Sequence, residues 1–130
     1  LEPTSPLREV KDLEESFRLI INKDLESLVS VSEATTHHPN FMFTINDNHC
    51  MVPYLNDQNC NGLRRQDLEP CYFLDGSIYL SSIESLKNNC GFYHSSTYAF
   101  ILSKWKSLEI DDLDDFLMVE ALMTHRLQAL

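Results

Sequence analysis

Residues 76–102 read GSIYLSSIESLKNNCGFYHSSTYAFIL, and this stretch decides the fold. Gly76-Ser77-Ile78-Tyr79-Leu80 is short, opens on a glycine turn and carries Ile78 and Tyr79, so it reads as a strand. Ser81 with Glu84 three residues later fits the capping-box spacing, which predicts a short helix running to about Lys87. Thr97 to Leu102 is a nearly continuous apolar run, the pattern of a strand buried on both faces. Strand, helix and strand in succession predict an α/β fold with a mostly parallel sheet.

Working outward, residues 10–21 carry Val10, Leu13, Phe17, Ile20 and Ile21 at spacings of three and four. That is one face of an amphipathic helix, with Glu14, Glu15 and Arg18 turned outward. Residues 27–32 (SLVSVS) read as a strand. Residues 33–61 then lose all periodicity and are too long for an ordinary loop, so they predict an insertion with small strands of its own. Asp47-Asn48 is its expected hairpin tip, between residues 41–45 and 50–52. Downstream, residues 107–111 read as a short strand-like piece. A last helix follows, with Leu113, Phe116, Leu117, Ala121 and Leu127 on one face and Asp112 and Asp115 capping its start.

The composition bounds the function. With 20 acidic against 10 basic side chains the formal charge is −10, which repels phosphate backbones and argues against nucleic-acid binding. No apolar run approaches the ~20 residues that span a membrane, so no membrane partner is expected. Cys50, Cys60, Cys71 and Cys90 lack zinc-site spacing and are too sparse for a disulfide scaffold. They read as free thiols of a cytoplasmic protein.

Several constellations could carry chemistry. Pro3-Thr4-Ser5-Pro6 makes a rigid turn before the first helix, with its hydroxyls expected to point outward. Arg64 and Arg65 are adjacent in an acidic chain. They either pair on the surface with Asp67 or Glu69, or offer a planar fork to a carboxylate or phosphate. Gly76 either makes the turn into its strand or lets a ligand approach the backbone. On an extended segment Glu109 and Asp111 share a face, a hard oxygen pair suited to Mg²⁺, although acidic residues before a helix are also ordinary surface. Phe92-Tyr93 could wall a sugar pocket or belong to the core, and His37-His38 has no partner at metal or nucleophile spacing.

Taken in order, LEPTSPLR (1–8), SV (30–31), HHP (37–39), RQDL (65–68), DGSIY (75–79), SLEID (107–111) and the late Glu120-Ala121 resemble the second half of the N-acylneuraminate cytidylyltransferases. The resemblance spans essentially the whole chain. It implies a Rossmann-like nucleotide-diphosphosugar transferase fold, incomplete because its N-terminal strands are missing. Residues 33–61 would be much of an inserted dimerisation arm, so a homodimer is expected. The implied reaction transfers CMP from CTP to a nonulosonic (sialic-type) acid and releases pyrophosphate, with Mg²⁺ as cofactor.

Position by position, the resemblance makes Glu109 and Asp111 the catalytic, metal-holding carboxylates. Arg65 would meet the sugar acid's carboxylate, and Tyr79, Phe92 and Tyr93 would line the sugar pocket. Glu2 and Asp75 fall at pocket positions that are typically Gln and Asn in the sialic acid enzymes. Each exchange replaces an amide that donates and accepts by a carboxylate that, ionised, only accepts, which brings in legionaminic or pseudaminic acid as alternative substrates. Glu109 replaces a common Asp, while Phe73 and Phe41 stand where basic residues occur in some members. The chain opens Leu1-Glu2-Pro3 without the family's basic, Gly-rich nucleotide loop. It therefore reads as a C-terminal portion, inactive by itself. A second reading from a different class is a non-catalytic acidic module that binds divalent ions or a protein partner.

Overall fold

A computed structural model of the chain describes residues 1–55 and 64–128. Helix α1 (Val10–Asn22) leads into strand β1 (Ser27–Glu33). A hairpin of β2 (Phe43–Ile45) and β3 (Met51–Pro53) follows, then the long strand β4 (Tyr72–Ser81), helix α2 (Ile83–Asn89), strand β5 (Tyr98–Ile101) and helix α3 (Leu113–Gln128). Among the described residues no helix is long and apolar enough to cross a membrane.

The chain divides into two compact units, residues Leu1–Ser32 with Leu74–Leu130, and residues Glu33–Phe73. The first holds a three-stranded sheet in the order β4-β1-β5. β1 and β5 run parallel, with Leu28 opposite Tyr98 and Val31 opposite Ile101. β4 runs the other way. As it rises through Asp75, Ile78 and Ser82, its partners fall through Ser32, Ser30 and Glu26. The expected α/β class holds, but the sheet is mixed rather than mostly parallel.

The doubly buried strand is β1, not β5. Every β1 residue up to Ser32 is buried, whereas Ala99 and Ile101 on β5 are exposed. Position in the sheet decides this: β1 is central and β5 lies at the edge of the described sheet. Leu28, Ile78, Phe100 and Leu102 form the core, and α1 covers it with Leu13, Leu19 and Ile20. Each fully buried side chain of this size contributes about 1.5–3 kcal/mol.

Both long helices depart from their expected faces, α1 only in part, since Leu13 and Ile20 pack on the core as read, and α3 at every expected residue whose side chain is described. On α1 the enclosed side chains are Asp12 and Ser16, while Val10, Phe17 and Ile21 face solvent. On α3 Val119 turns inward, and Leu113, Phe116, Leu117 and Ala121 are exposed; the Leu127 side chain lies outside the described part. α2 is capped one residue later than its spacing suggested, by Ser82, whose Oγ accepts the Ser85 N–H at 3.0 Å. The cap of α3 is as read: the Asp115 N–H donates to Asp112 and the Asp112 N–H to Asp115.

The second unit contains the hairpin, with Phe43 opposite Pro53 and Ile45 opposite Met51. Asn46 makes its tip, its Oδ1 accepting the N–H groups of Asn48 and Cys50 at 3.0 Å each. This unit runs beyond the expected residues 33–61 and takes in the 3₁₀ turn Arg65–Asp67. His38 is built into it. Its Nδ1 accepts the Asn40 N–H at 3.2 Å, which leaves the proton on Nε2 to donate to the Glu69 carbonyl at 3.0 Å. His37 is exposed. Cys50, Cys71 and Cys90 are free, and Cys60 lies outside the described residues.

Candidate active site

Three segments remote in sequence meet beside β4. The first is the turn before α1, where Pro3 and Pro6 restrict the backbone. Arg8 locks it, its Nη1 donating to the carbonyls of Glu2 at 2.6 Å and Ser5 at 2.8 Å. Ser5 does not point outward as the turn suggested. It is fully buried, and its Oγ donates to Glu109 Oε1 at 3.1 Å. One residue back, the Thr4 carbonyl accepts the Ile110 N–H at 2.8 Å, so the turn lies along the Glu109–Asp111 backbone.

That backbone is not a strand. A 3₁₀ turn, Lys104–Ser107, ends at an extended Leu108, and residues 109–111 continue as a loop whose ladder partner is the turn rather than the sheet. Asp111 is exposed and its N–H donates to Asp115 Oδ2 at 3.1 Å, while Glu109 is partly enclosed.

The third segment is the stretch of β4 around Gly76. Gly76 has φ +70, a left-handed conformation that a side chain disfavours. A Cβ there would also collide with Glu109 Oε1 and stand 2.9 Å from Ser5 Oγ. Of the two readings of Gly76, close backbone approach is the one seen, and the group that approaches is Glu109. Asp75 beside it is fully buried. Ser30 Oγ and Ser32 Oγ donate to its two carboxylate oxygens, the second at 2.9 Å, and the Ser77 N–H donates at 3.1 Å. Ser30 also accepts the Ile78 N–H at 2.8 Å. The carboxylate of Asp75 thus braces the backbone beside Gly76 from inside.

The electrostatics follow from this crowding. Burial pushes the Glu109 carboxyl above the ordinary range, the Ser5 hydrogen bond opposes it, and Glu2, Asp111 and Asp75 push further upward. Burial also raises the Tyr79 phenol, with Glu2, Glu109 and Asp75 adding to it. Glu2, Tyr79, Glu109 and Asp111 therefore share one neighbourhood. Tyr79 packs at 5.7 Å between ring centroids against Phe92, whose neighbour Tyr93 is exposed.

Arg64 and Arg65 belong to the other unit and behave differently. Arg64 Nε donates to Asp67 at 2.9 Å, the surface pairing expected as one of two readings. Arg65 sits over the Phe41 ring at 6.0 Å and lines a small cleft of about 130 Å³ with His38, Leu68 and Glu69. Phe73 is exposed.

Among the described residues no group of three or more His, Cys, Asp or Glu side chains could hold a metal ion. Glu109 and Asp111 still suit a hard divalent cation. Mg²⁺ is commonly held by one or two carboxylates, with water and substrate phosphates completing the shell. Burial is the main cause that raises Glu109, and the like charge that Glu2, Asp111 and Asp75 add to it is what such an ion would relieve.

Reading the sequence assigned Ser30 no role beyond its place in the SV piece and did not single out Ser32. Their signal was three serines within residues 27–32, all of which prove buried, and a buried hydroxyl needs a partner.

No known family profile matches the chain. It is 34% identical over 119 residues, 92% of its length, to the N-acylneuraminate cytidylyltransferases of Streptococcus agalactiae serotypes V and III. It is 24% identical over 126 residues, 97% of its length, to the post-translational flagellin modification protein B of Campylobacter coli. The chain spans 28% of the streptococcal proteins and 52% of the Campylobacter one. Over nearly its whole length it is thus similar to N-acylneuraminate cytidylyltransferases.

Proposed function

We propose that this chain is the C-terminal portion of a cytidylyltransferase that transfers CMP from CTP to a nonulosonic acid. The anomeric hydroxyl of the sugar acid attacks the α-phosphorus in line, the bond to the bridging oxygen breaks, and pyrophosphate leaves. Positioning and charge stabilisation supply most of the catalysis in such transfers. The observation that carries this reading is the seating of Glu109 against Ser5 and Gly76, which joins three of the resembling segments at one place.

Within that reading, Glu109 and Asp111 hold Mg²⁺, which when bound would neutralise charge on the departing pyrophosphate. Tyr79, Phe92 and Tyr93 line the sugar pocket, and Glu2 adds an acceptor beside the Tyr79 phenol. Arg65 offers its fork to the sugar acid's carboxylate. Asp75 acts through the β4 backbone beside Gly76, since its oxygens are already bonded. The unit Glu33–Phe73 serves as a dimerisation arm. The exposed Phe43, Ile45, Met51 and Val52 of its hairpin support that role. The protein works in the cytoplasm, where its nucleotide substrate is available.

Glu2 favours a second substrate within the same reaction, legionaminic or pseudaminic acid, because an acceptor-only carboxylate fits a different substituent pattern from an amide. The test expresses the complete reading frame carrying this chain and supplies CTP, Mg²⁺ and each of the three acids in turn. A CMP-sugar and pyrophosphate in equal amounts from one acid are expected. No product from any of them, with the protein folded, would leave the non-catalytic acidic module as the better reading.

A further inference from the structure

Lys106 is the one lysine among the described residues that is buried, its side chain 5% exposed. Lysine is rarely enclosed unless paired. Here Nζ lies 2.6 Å from both carboxylate oxygens of Asp12 and 2.7 Å from Glu9 Oε2. Burial by itself would lower the Lys106 ammonium, but the Asp12 and Glu9 carboxylates outweigh it and hold it above its usual value. Glu9, paired with Lys106 and then Lys11, is lowered to about 2.

The place of this cluster matters more than its strength. Asp12 and Glu9 close the capping box of α1, immediately after the turn that contains Thr4 and Ser5. Lys106 lies in the 3₁₀ turn Lys104–Ser107, three residues before Glu109. The same two segments meet again at the Thr4–Ile110 backbone bond and at the Ser5–Glu109 hydrogen bond. Two cross-links a few residues apart close a small ring, and Glu109 lies inside it. From the far side, Asp115 holds the Asp111 N–H, and Arg126 of α3 stacks 3.3 Å from the Trp105 ring centre.

A buried ion pair seldom outperforms a hydrophobic pair of similar size in net stability, and its best-attested use is to specify register. We propose that Lys106, gripped by Asp12 and Glu9, is a positioning residue that sets the Glu109–Asp111 loop against the Ser5 turn. Its importance for catalysis rests on the cytidylyltransferase reading of Glu109. The geometric claim does not.

The experiment is amide hydrogen exchange on the complete protein that carries this chain, without substrate, for the native sequence, Lys106→Met and Glu9→Gln. The reporter is the Ile110 amide, and the reference is the Leu102 amide, which bonds the Val31 carbonyl at the core. Local opening at the loop should speed Ile110 exchange by roughly tenfold more than Leu102 exchange in Lys106→Met, and by roughly threefold more in Glu9→Gln. Equal acceleration at both amides would mean that the cluster supports only global stability and would overturn the proposal, as would no change at Ile110. If Lys106→Met does not fold, the Glu9→Gln ratio decides, because that variant keeps the Asp12–Lys106 pair. Absence of CMP transfer would overturn the enzymatic reading and leave the clamp standing; uniform exchange would do the reverse.

Discussion

Ser5 and Glu109, separated by 104 positions in sequence, are joined by a 3.1 Å hydrogen bond in which the serine hydroxyl donates to the carboxylate. Ser5 is fully buried, so its hydroxyl has no solvent to turn to. Ser5→Ala should destabilise the fold by about 1–2 kcal/mol near neutral pH, where Glu109 would lose its donor while partly enclosed. Urea denaturation measures this. An unchanged midpoint would show that the bond contributes nothing net.

Gly76→Ala should be the more damaging change. The left-handed backbone alone costs a side chain roughly 1–2 kcal/mol, and the new methyl would meet the Glu109 carboxylate. Thermal unfolding should fall further than for Ser5→Ala. A variant as stable as the parent would contradict the seating of Glu109 against β4.

Asp75 separates bracing from simple burial. In Asp75→Asn the amide can still accept from one serine hydroxyl and donate to the other, which can rotate to receive it. That variant should fold nearly as well as the parent. Asp75→Ala removes the acceptor shared by Ser30, Ser32 and the Ser77 N–H in the interior and should cost about 1–3 kcal/mol. Equal stabilities for the two variants in chemical denaturation would refute the brace.

The acid limb of stability should depend on Glu9. Its carboxyl is lowered from 4.5 to about 2 by the hydrogen bonds from Lys106 and Lys11. A lowered carboxyl adds stability that is present above pH 4.5 and is lost as pH falls through about 2. Glu109 works in the opposite sense, because a raised carboxyl favours the folded state below its unfolded value and loses that contribution as pH rises through its folded one. Glu9→Gln should therefore flatten the loss of melting temperature between pH 4.5 and 2. Parallel pH curves for variant and parent would remove Glu9 from the acid response.

The two arginines should differ in kinetics. Arg64 already engages an exposed Asp67, and such pairs contribute ~1 kcal/mol or less, so Arg64→Ala should be mild. If the proposed function holds, Arg65→Lys removes the planar fork and should raise KM for the sugar acid roughly 10- to 150-fold while KM for CTP holds. Steady-state kinetics on the complete enzyme decides it. An equal penalty at both positions, or one confined to CTP, would assign the fork to a different ligand group.

Local pattern was enough for α1, the Asn46–Cys50 hairpin tip and the Asp112–Asp115 cap, because each is stabilised within a few residues of itself, and for the existence of β1, whose β-rich run is local although its partners are not. The ordered pieces LEPTSPLR, DGSIY and SLEID were equally legible as a set that belongs together. Tertiary structure decided the rest. Periodicity turned Val10, Phe17 and Ile21 inward, yet α1 presents Asp12 to the interior because Lys106, 94 residues away, supplies its charge partner. An apolar run suggested that β5 would be enclosed, but β1 holds the centre because strands lie on both of its sides. Asp75 looked like a pocket residue until Ser30 and Ser32 closed on its oxygens from a neighbouring strand. Burial and hydrogen bonding between segments so far apart leave no repeat in the sequence, so only the folded chain shows which carboxylate is braced and which, at Glu109, is left partly open.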